Sequence, residues 1–285
     1  MTPFELAEPH ALHEAAALLD ANDSTVRAIA GGTALMLMMK SGVFQPARLV
    51  SLRAVESRYS AVTTDSGGGL RIGALTTLSA LARSPEVKAA APVITQTLRT
   101  LSNVRVRNVA TLGGHLAHAD PHMDLPPLMI ALGAQVVTVA PTGSRTLAVA
   151  DLYTGYYETA LARNELIAEV VVPALAGRRA AYIKCTTRSA DDWPALGIAV
   201  LLALESGIVK EARIVVSAAT EMPVRLQVAE KELQGAPVND DVLRRCGEAA
   251  AAEAEMVADA RGSAAYKQAL LRVYVGRAIR AALAT

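Results

Sequence analysis

Two Gly-Gly pairs constrain the fold of this chain more than any other feature of its sequence. One lies in Ala30-Gly31-Gly32-Thr33, and the other is Gly113-Gly114, within the stretch 111–124. Glycine has no Cβ, so it permits positive φ and lets backbone N–H groups come close to another molecule. Consecutive N–H groups in a turn form a concavity that suits anions, phosphate above all. Two such turns predict two phosphates held from two sides, and hence a dinucleotide site.

The residues around each pair support this interpretation. Residues 26–30 are predicted to form a strand that leads into the first pair, and Thr33 is placed to cap a helix over residues 34–40. A strand, a glycine turn and a helix N-terminus form a common phosphate cradle. After the second pair, Pro121 rules out a continuous helix. Asp124 is then the expected N-cap of a helix whose first turn contains prolines.

Length, charge and cysteine content exclude several classes of protein. With 285 residues, the chain is long enough for two domains. Its 28 basic and 27 acidic residues give a net charge of +1, so nucleic acid or an anionic membrane is not the expected partner. The first residues lack a signal-peptide pattern, and the longest apolar run, 195–204, is too short to span a bilayer. Cys185 and Cys246 form no spacing motif, which indicates a reducing, cytoplasmic location and no four-cysteine iron–sulfur site on this chain.

The remaining pattern predicts a mixture of helices and antiparallel strands. Turn residues at 65–69 and 141–144 separate strand-like segments and predict two hairpins. A domain boundary is expected near residues 175–179, followed by an antiparallel meander to about residue 218. The last forty-odd residues, 240–258 and 263–283, have helical spacing.

A dense group of histidines and carboxylates raises a second possibility, a metal site. The group consists of His115, His118, Asp120, His122 and Asp124. Its spacing matches no usual helical metal motif, and no second cluster supplies remote ligands, as a catalytic metal site normally requires. No GxGxxG follows a strand and no GxSxG is present, which disfavours a Rossmann nucleotide site and a serine hydrolase.

Five motifs in order resemble one known family. They are Ala30-Gly31-Gly32-Thr33 with Lys40, Ile72-Gly73-Ala74-Leu75-Thr76-Thr77, Ala110-Thr111-Leu112-Gly113-Gly114-His115 through Pro121 and Asp124, Tyr182-Ile183-Lys184 with Arg188, and the segment 263–277. Over nearly the whole chain, this set resembles the FAD-binding medium subunit of the molybdenum hydroxylases. That family includes the flavoprotein subunits of carbon monoxide dehydrogenase and xanthine dehydrogenase.

The resemblance implies an α+β fold. A two-subdomain FAD-binding domain of the vanillyl-alcohol-oxidase (PCMH) type would span residues 1–175, with subdomains of about 1–55 and 56–175. A C-terminal domain of a small antiparallel sheet and helices would span residues 178–285.

The resemblance also implies the residues that hold FAD. Ala30, Gly31, Gly32 and Thr33 would wrap the pyrophosphate from one side, and Thr111, Gly113, Gly114 and His115 from the other. Asp124 would hydrogen-bond the ribityl or adenosine part, and Lys184 would lie near the flavin ring. The chain departs from the family at Thr33, where histidine or glutamine is frequent, and at His115, where asparagine is usual.

A division of labour among subunits follows from the resemblance. A molybdopterin-binding large subunit would hydroxylate the substrate, and a small subunit with two [2Fe–2S] clusters would carry electrons to this chain's FAD. The electrons would then pass to an external acceptor: NAD, a quinone or oxygen. No side chain here would act as nucleophile or general base, and neither nucleic acid nor a membrane span is expected. Two alternatives stay open: a stand-alone flavin oxidase of the same fold, and a metal-binding protein that uses the loop from His115 to Asp124.

Overall fold

The computed structural model describes residues 2–285, which form three main sheets with helices packed against them. The first sheet has three parallel strands in the order β1-β3-β2. Parallel neighbours need crossover connections, and helices supply them here. The strands are β1 (Glu5–Ala7), β2 (Val26–Ile29) and β3 (Arg48–Ser51), and the helices are α1 (Leu12–Leu18) and α2 (Leu35–Lys40).

The second sheet has five antiparallel strands in the order β4-β5-β10-β6-β7. Its strands are β4 (Val62–Thr64), β5 (Leu70–Gly73), β6 (Gln135–Ala140), β7 (Gly143–Ala148) and β10 (Leu166–Val172). Between the two hairpins the chain forms α3 (Leu78–Arg83), α4 (Pro85–Ala90), α5 (Pro92–Leu98), α6 (Val104–Arg107), α7 (Leu112–Ala117) and α8 (Leu125–Leu132). A two-stranded ribbon of β8 (Tyr153–Gly155) and β9 (Glu158–Thr159) precedes β10.

The third sheet is an antiparallel meander in the order β11-β12-β13-β14. Its strands are β11 (Arg179–Cys185), β12 (Leu196–Glu205), β13 (Ile208–Ser217) and β14 (Val224–Arg225). The helices are α9 (Gln227–Leu233), α10 (Asp240–Glu253) and α11 (Ala264–Leu283). Residues 196–202 are all buried, because helices cover both faces of β12.

Helix α8 joins the second and third sheets through a shared core. All eight of its residues are buried, and it contacts both β12 and β13. Leu128 of α8 therefore belongs to the same apolar cluster as Ala199, Leu201 and Val215 of the third sheet. The apolar core continues across the boundary predicted near residues 175–179.

The structure confirms the two hairpins, the meander and the C-terminal helices expected from the sequence. It adds β1, a three-residue strand without a readable pattern, and the short helix α6. None of the helices in residues 2–285 is long and apolar enough to cross a membrane.

Candidate functional site

The structure packs the two segments that contain the Gly-Gly pairs against each other, as the two-sided cradle requires. A Cβ on Gly31 would lie 2.0 Å from the carbonyl oxygen of Val109 and 2.8 Å from Cα of Ala110, so only glycine fits there. A Cβ on Gly114 would lie 3.8 Å from Cβ of Ala30. We call residues 30–33 and 111–115 together the glycine cradle.

The first half of the cradle is a true turn. Gly32 has φ of +69°, the left-handed region that favours glycine, and its carbonyl accepts the amide of Met36 at 2.9 Å. The expectation that Thr33 caps the next helix is wrong. The N-cap of α2 is Ala34, and this position makes no side-chain capping bond. The Thr33 side chain therefore has no capping role and is half-buried at the cradle.

The second half is a helix start rather than the predicted turn. Gly113 and Gly114 lie in the first turn of α7, and the Thr111 hydroxyl accepts the amide of Gly114 at 3.2 Å as the N-cap. Gly113 is needed for close packing, since its Cβ would meet Cβ of Ala74 at 2.6 Å. Gly114 is exposed, and the only atom near its absent Cβ besides Ala30 is the Thr111 hydroxyl oxygen at 2.9 Å.

Two buried polar atoms beside the cradle have no hydrogen-bond partner within the protein. They are Nε2 of His115 and the hydroxyl oxygen of Thr76. Thr76 lies next to the cradle, because its backbone carbonyl accepts a hydrogen bond from the amide of Leu112 at the start of α7. Burial, with a smaller contribution from His118, lowers the pKa of His115 to about 3, against a weak opposing effect of Asp120. His115 is therefore a neutral imidazole, and its buried Nε2 has no partner. Because buried polar groups normally have partners, these orphaned atoms fit a polar ligand bound at the cradle.

Asp124 and Lys184, which the sequence interpretation placed in separate roles, form a buried pair. Lys184 Nζ lies 3.2 Å from Oδ2 of Asp124 and donates to the carbonyl of Thr100 at 2.9 Å. The Tyr182 hydroxyl donates to Oδ1 of Asp124 at 2.7 Å. Burial raises the pKa of Asp124, and the charge of Lys184 and the two hydrogen bonds oppose that rise. Asp124 occupies the N-cap position of α8 as expected, but its carboxylate is directed to β11 instead of capping.

Lys184 and Tyr182 also line a cleft of about 420 Å³. The cleft lies between α5, β11 and the end of α11, and its other polar walls include Gln96, Thr97 and Thr100. The pair of Asp124 and Lys184 thus has a solvent-accessible cavity beside it, although both side chains are only 6% exposed.

The histidine and carboxylate loop does not form a metal site. Both ring nitrogens of His122 are taken by carboxylates, with Nδ1 2.9 Å from Asp120 and Nε2 2.9 Å from Asp259. His115 lies buried in α7. Across residues 2–285, no group of three or more His, Cys, Asp or Glu side chains is placed to hold a metal ion.

Sequence reasoning missed several residues that complete this region. Asp259 comes from the C-terminal domain and contacts His122 of the loop between α7 and α8, 137 positions earlier in the sequence. Lys267 is the ion-pair partner of Asp259, at 2.9 Å. Tyr157 donates its hydroxyl to Asp120 at 2.7 Å, and Trp193 stacks on His122 with ring centroids 5.4 Å apart. No local signal marks such partners, because only the tertiary fold brings them together.

Comparison with known proteins gives one consistent result. Residues 2–175 match the family described as FAD binding domain in molybdopterin dehydrogenase, and residues 181–282 match the CO dehydrogenase flavoprotein C-terminal domain. The chain is 33% identical over 282 residues to the carbon monoxide dehydrogenase medium chain of Hydrogenophaga pseudoflava, covering 99% of this chain and 97% of that one. It is 28% identical to the glyceraldehyde dehydrogenase medium chain of Sulfolobus acidocaldarius, covering 97% of each.

A solved structure extends this similarity to three dimensions. It is the Hydrogenophaga pseudoflava carbon monoxide dehydrogenase that lacks the Mo-pyranopterin moiety of its molybdenum cofactor. A chain of that structure superimposes with a TM-score of 0.94 at 35% identity, over 100% of this chain and 99% of that one. The expected fold class is therefore confirmed.

Proposed function

Because this chain belongs to the family of FAD-binding medium subunits of molybdenum hydroxylases, we propose that it is the electron-transfer subunit of a heteromeric enzyme of this kind. Members of the family are oxidoreductases, and FAD is the cofactor of this subunit. In the proposed role, the subunit receives electrons from [2Fe–2S] clusters and passes them to an external acceptor: NAD, a quinone or oxygen. The observation that carries the proposal is the packing of residues 30–31 against residues 109–114, which brings the two Gly-Gly segments to one place.

In this proposal the glycine cradle binds the pyrophosphate of FAD. Ala30, Gly31, Gly32 and Thr33 form one side, and Thr111, Gly113, Gly114 and His115 form the other. Gly114 is the exposed position, so a ligand can approach its backbone closely. Gly31 and Gly113 serve the cradle indirectly: the missing Cβ of Gly31 lets the first side pack on Val109 and Ala110, and that of Gly113 lets α7 pack on Ala74.

The two orphaned atoms supply side-chain contacts to the cofactor. A neutral His115 can donate or accept one hydrogen bond through Nε2, depending on its tautomer. The Thr76 hydroxyl can do both. Neither group carries charge, so each fits a ribityl hydroxyl or a phosphate oxygen. His115 thus performs the task that asparagine performs in the usual family pattern.

Asp124 and Lys184 are proposed to act at the flavin end of the site as one unit. Their contact holds the start of α8 against β11, and Lys184 lines a cleft. A positive charge near the flavin favours negative charge on the reduced ring. FAD supplies the redox chemistry, and the protein supplies its orientation and electrostatics.

The partner subunits follow from what this chain contains. Cys185 and Cys246 are both free and buried, and they are the only two cysteines of the sequence. A [2Fe–2S] cluster of the usual kind needs four cysteine ligands, so the clusters belong to a small subunit. A large subunit would carry molybdopterin. Within this chain we place the FAD-binding domain at residues 1–175 and the C-terminal domain at 178–285, in keeping with the two matched families.

The test is the flavin content of the protein produced together with its neighbouring subunits. The complex should show a flavin absorption spectrum and release FAD on denaturation without protease digestion. We expect Gly114→Ala to lower FAD occupancy severely, because its methyl group would stand at the open face of the cradle and displace the Thr111 hydroxyl.

Gly276→Ala in α11 is the matched control, since it also places a methyl group in a helix but meets only Leu243 at 3.7 Å. FAD occupancy should be unchanged in this control. A wild-type complex without flavin would contradict the proposal. Turnover of an alcohol or amine by this chain without partners would favour the stand-alone oxidase instead.

A further inference from the structure

A buried network of side chains links the cradle's domain to the C-terminal domain. The network begins at the half-exposed Tyr157, whose hydroxyl donates to Oδ2 of Asp120 at 2.7 Å. Oδ1 of Asp120 lies 2.9 Å from Nδ1 of His122. Nε2 of His122 lies 2.9 Å from Oδ2 of Asp259, which in turn lies 2.9 Å from Nζ of Lys267. We call these five residues the Tyr157–Lys267 network. Asp120 and His122 belong to the loop between α7 and α8, and Asp259 and Lys267 to the C-terminal domain.

Backbone groups close this network into a ring. The carbonyl of Pro121, between Asp120 and His122, accepts the amide of Ala218 at 2.8 Å. The carbonyl of Ala218 accepts a hydrogen bond from Lys267 Nζ at 3.2 Å. The loop is therefore held to the C-terminal domain both through its main chain and through the ring of His122.

Unusual backbone conformations cluster at the same place. Ala119, Tyr157 and Ala218 have φ of 55°, 60° and 65°, the left-handed region that non-glycine residues rarely adopt. Each costs conformational energy that the surrounding contacts must offset, and such residues concentrate at functional sites. All three adjoin or belong to the network.

The charges of the network depend on one another. Lys267 is completely buried, so its positive charge needs a partner. Although burial opposes ionisation, hydrogen bonds from His122, Lys267 and the amide of Arg261 lower the pKa of Asp259 to about 2. Asp259 is thus an anion whose carboxylate contacts both Lys267 and His122. A loss of either Asp259 or Lys267 leaves a buried charge uncompensated.

We propose that Asp259 and Lys267 are positioning residues for FAD, which act through His122 and Asp120 on the loop that follows the cradle. This inference rests on the proposed function, because it concerns the affinity of the same cradle for FAD. The C-terminal domain then contributes to FAD binding from a distance, by fixing the loop 119–122 behind α7. Coupling between sites is reciprocal, so bound FAD must also strengthen the attachment of the C-terminal domain.

The experiment measures the FAD dissociation constant of the assembled complex, from flavin fluorescence on dilution, in charge-matched variants. The double variant Asp259→Leu/Lys267→Met removes both charges and leaves Nε2 of His122 without its carboxylate. Replacing both partners of a buried pair by apolar residues of similar volume often preserves stability. We therefore expect thermal stability close to that of the wild type, but an FAD dissociation constant about tenfold higher, within the usual range of coupling between distinct sites.

Two further variants separate positioning from a merely structural role. Asp259→Asn/Lys267→Met keeps an acceptor for His122 without leaving the charge of Lys267 buried and unpaired, and it should restore FAD affinity relative to Asp259→Leu/Lys267→Met. Arg225→Met/Glu230→Gln, which removes an ion pair inside the C-terminal domain, should leave FAD affinity unchanged even if thermal stability falls. If the double variant does not fold, His122→Leu decides the question, because it leaves the pair of Asp259 and Lys267 intact and should raise the dissociation constant in the same way.

Trp193 provides a spectroscopic readout in the isolated full-length chain. It is the only tryptophan of the sequence and is stacked on His122 with an interplanar angle of 12°. Loosening the loop should increase the quenching of Trp193 emission by acrylamide in Asp259→Leu/Lys267→Met, which retains the His122 ring.

Wild-type FAD affinity in both the double variant and His122→Leu would overturn the inference. A wild-type complex that binds no FAD would instead overturn the proposed function, and the inference with it. The two failures are distinguishable, because the second is visible before any variant is made.

Discussion

The buried His115 makes the free energy of unfolding depend on pH. Its folded pKa of about 3 lies far below the ordinary value of 6.5, because burial disfavours the charged ring. The unfolded chain therefore binds a proton below pH 6.5 that the folded chain does not. The corresponding stability is fully present above pH 6.5 and is lost as pH falls from there towards 3.

We expect His115→Asn to flatten this part of the stability curve. Asparagine does not titrate, so the free energy of unfolding should fall less steeply between pH 6.5 and 4 than in the wild type. Urea unfolding at several pH values measures the difference. Equal slopes in the two proteins would show that His115 is protonated in the folded state. His118→Asn is the comparison variant, since burial also lowers the pKa of that more accessible ring.

The sequence singled out glycines whose segments the structure packs together, but the reason it offered for them was incomplete. A Gly-Gly pair signals that a Cβ is not tolerated, yet it does not say which neighbour would collide with it. The structure shows a left-handed turn at Gly32, contact with Ala74 at Gly113 and an open face at Gly114. Likewise, the pairing of Asp124 with Lys184 joins residues 60 positions apart, and no spacing rule predicts it.

At the scale of elements, turn chemistry made the hairpins predictable. Gly and Asp residues between β4 and β5, and Pro and Gly residues around the turn of β6 and β7, are local signals. Strand β1 carries no such signal, because its three residues gain their structure by pairing with β3, 43 positions away. Helix α6 has no buried residue and hence no apolar periodicity to read.

Substitution by alanine should change the stability in opposite directions at two glycines of the paired helices α10 and α11. Gly247→Ala places a Cβ 2.2 Å from the carbonyl oxygen of Arg272, so the helices must separate and stability should fall. Gly276→Ala meets only Cβ of Leu243 at 3.7 Å and should raise stability by about 0.5–1 kcal/mol through helix propensity. Thermal unfolding of the two variants tests the pair. A stabilising Gly247→Ala would contradict the close helix crossing.

At the scale of the whole molecule, the sequence predicted a domain boundary near residues 175–179 but not the apolar core that spans it. The composition around residues 175–179 marks a connection, whereas burial of α8 depends on strands that follow it by more than 60 positions. Prolines at the start of α8 and its uniformly apolar sequence were compatible with any buried helix. Only the observed contacts with β12 and β13 reveal that the third sheet covers it.

We expect Leu128→Ala to destabilise both domains together. Truncation of a fully buried leucine costs about 2–5 kcal/mol, and Leu128 packs in the cluster that spans the second and third sheets. Far-ultraviolet circular dichroism and Trp193 fluorescence should therefore show coincident transitions at a lower temperature. Leu271→Ala, in the separate core of the C-terminal domain, is the control for a domain-restricted effect. Two resolved transitions in Leu128→Ala would contradict the shared core.

The burial of α8 also has a consequence for the chain during its synthesis. The helix leaves the ribosome well before β12 and β13, which come roughly 70 to 85 residues later and take on the order of ten seconds to follow at typical translation rates. Throughout that interval a wholly apolar helix has no cover from the third sheet. The nascent subunit is therefore expected to depend on chaperones until its last hundred or so residues have emerged. Slowing translation between the codons for Leu132 and Ile208 should increase its aggregation.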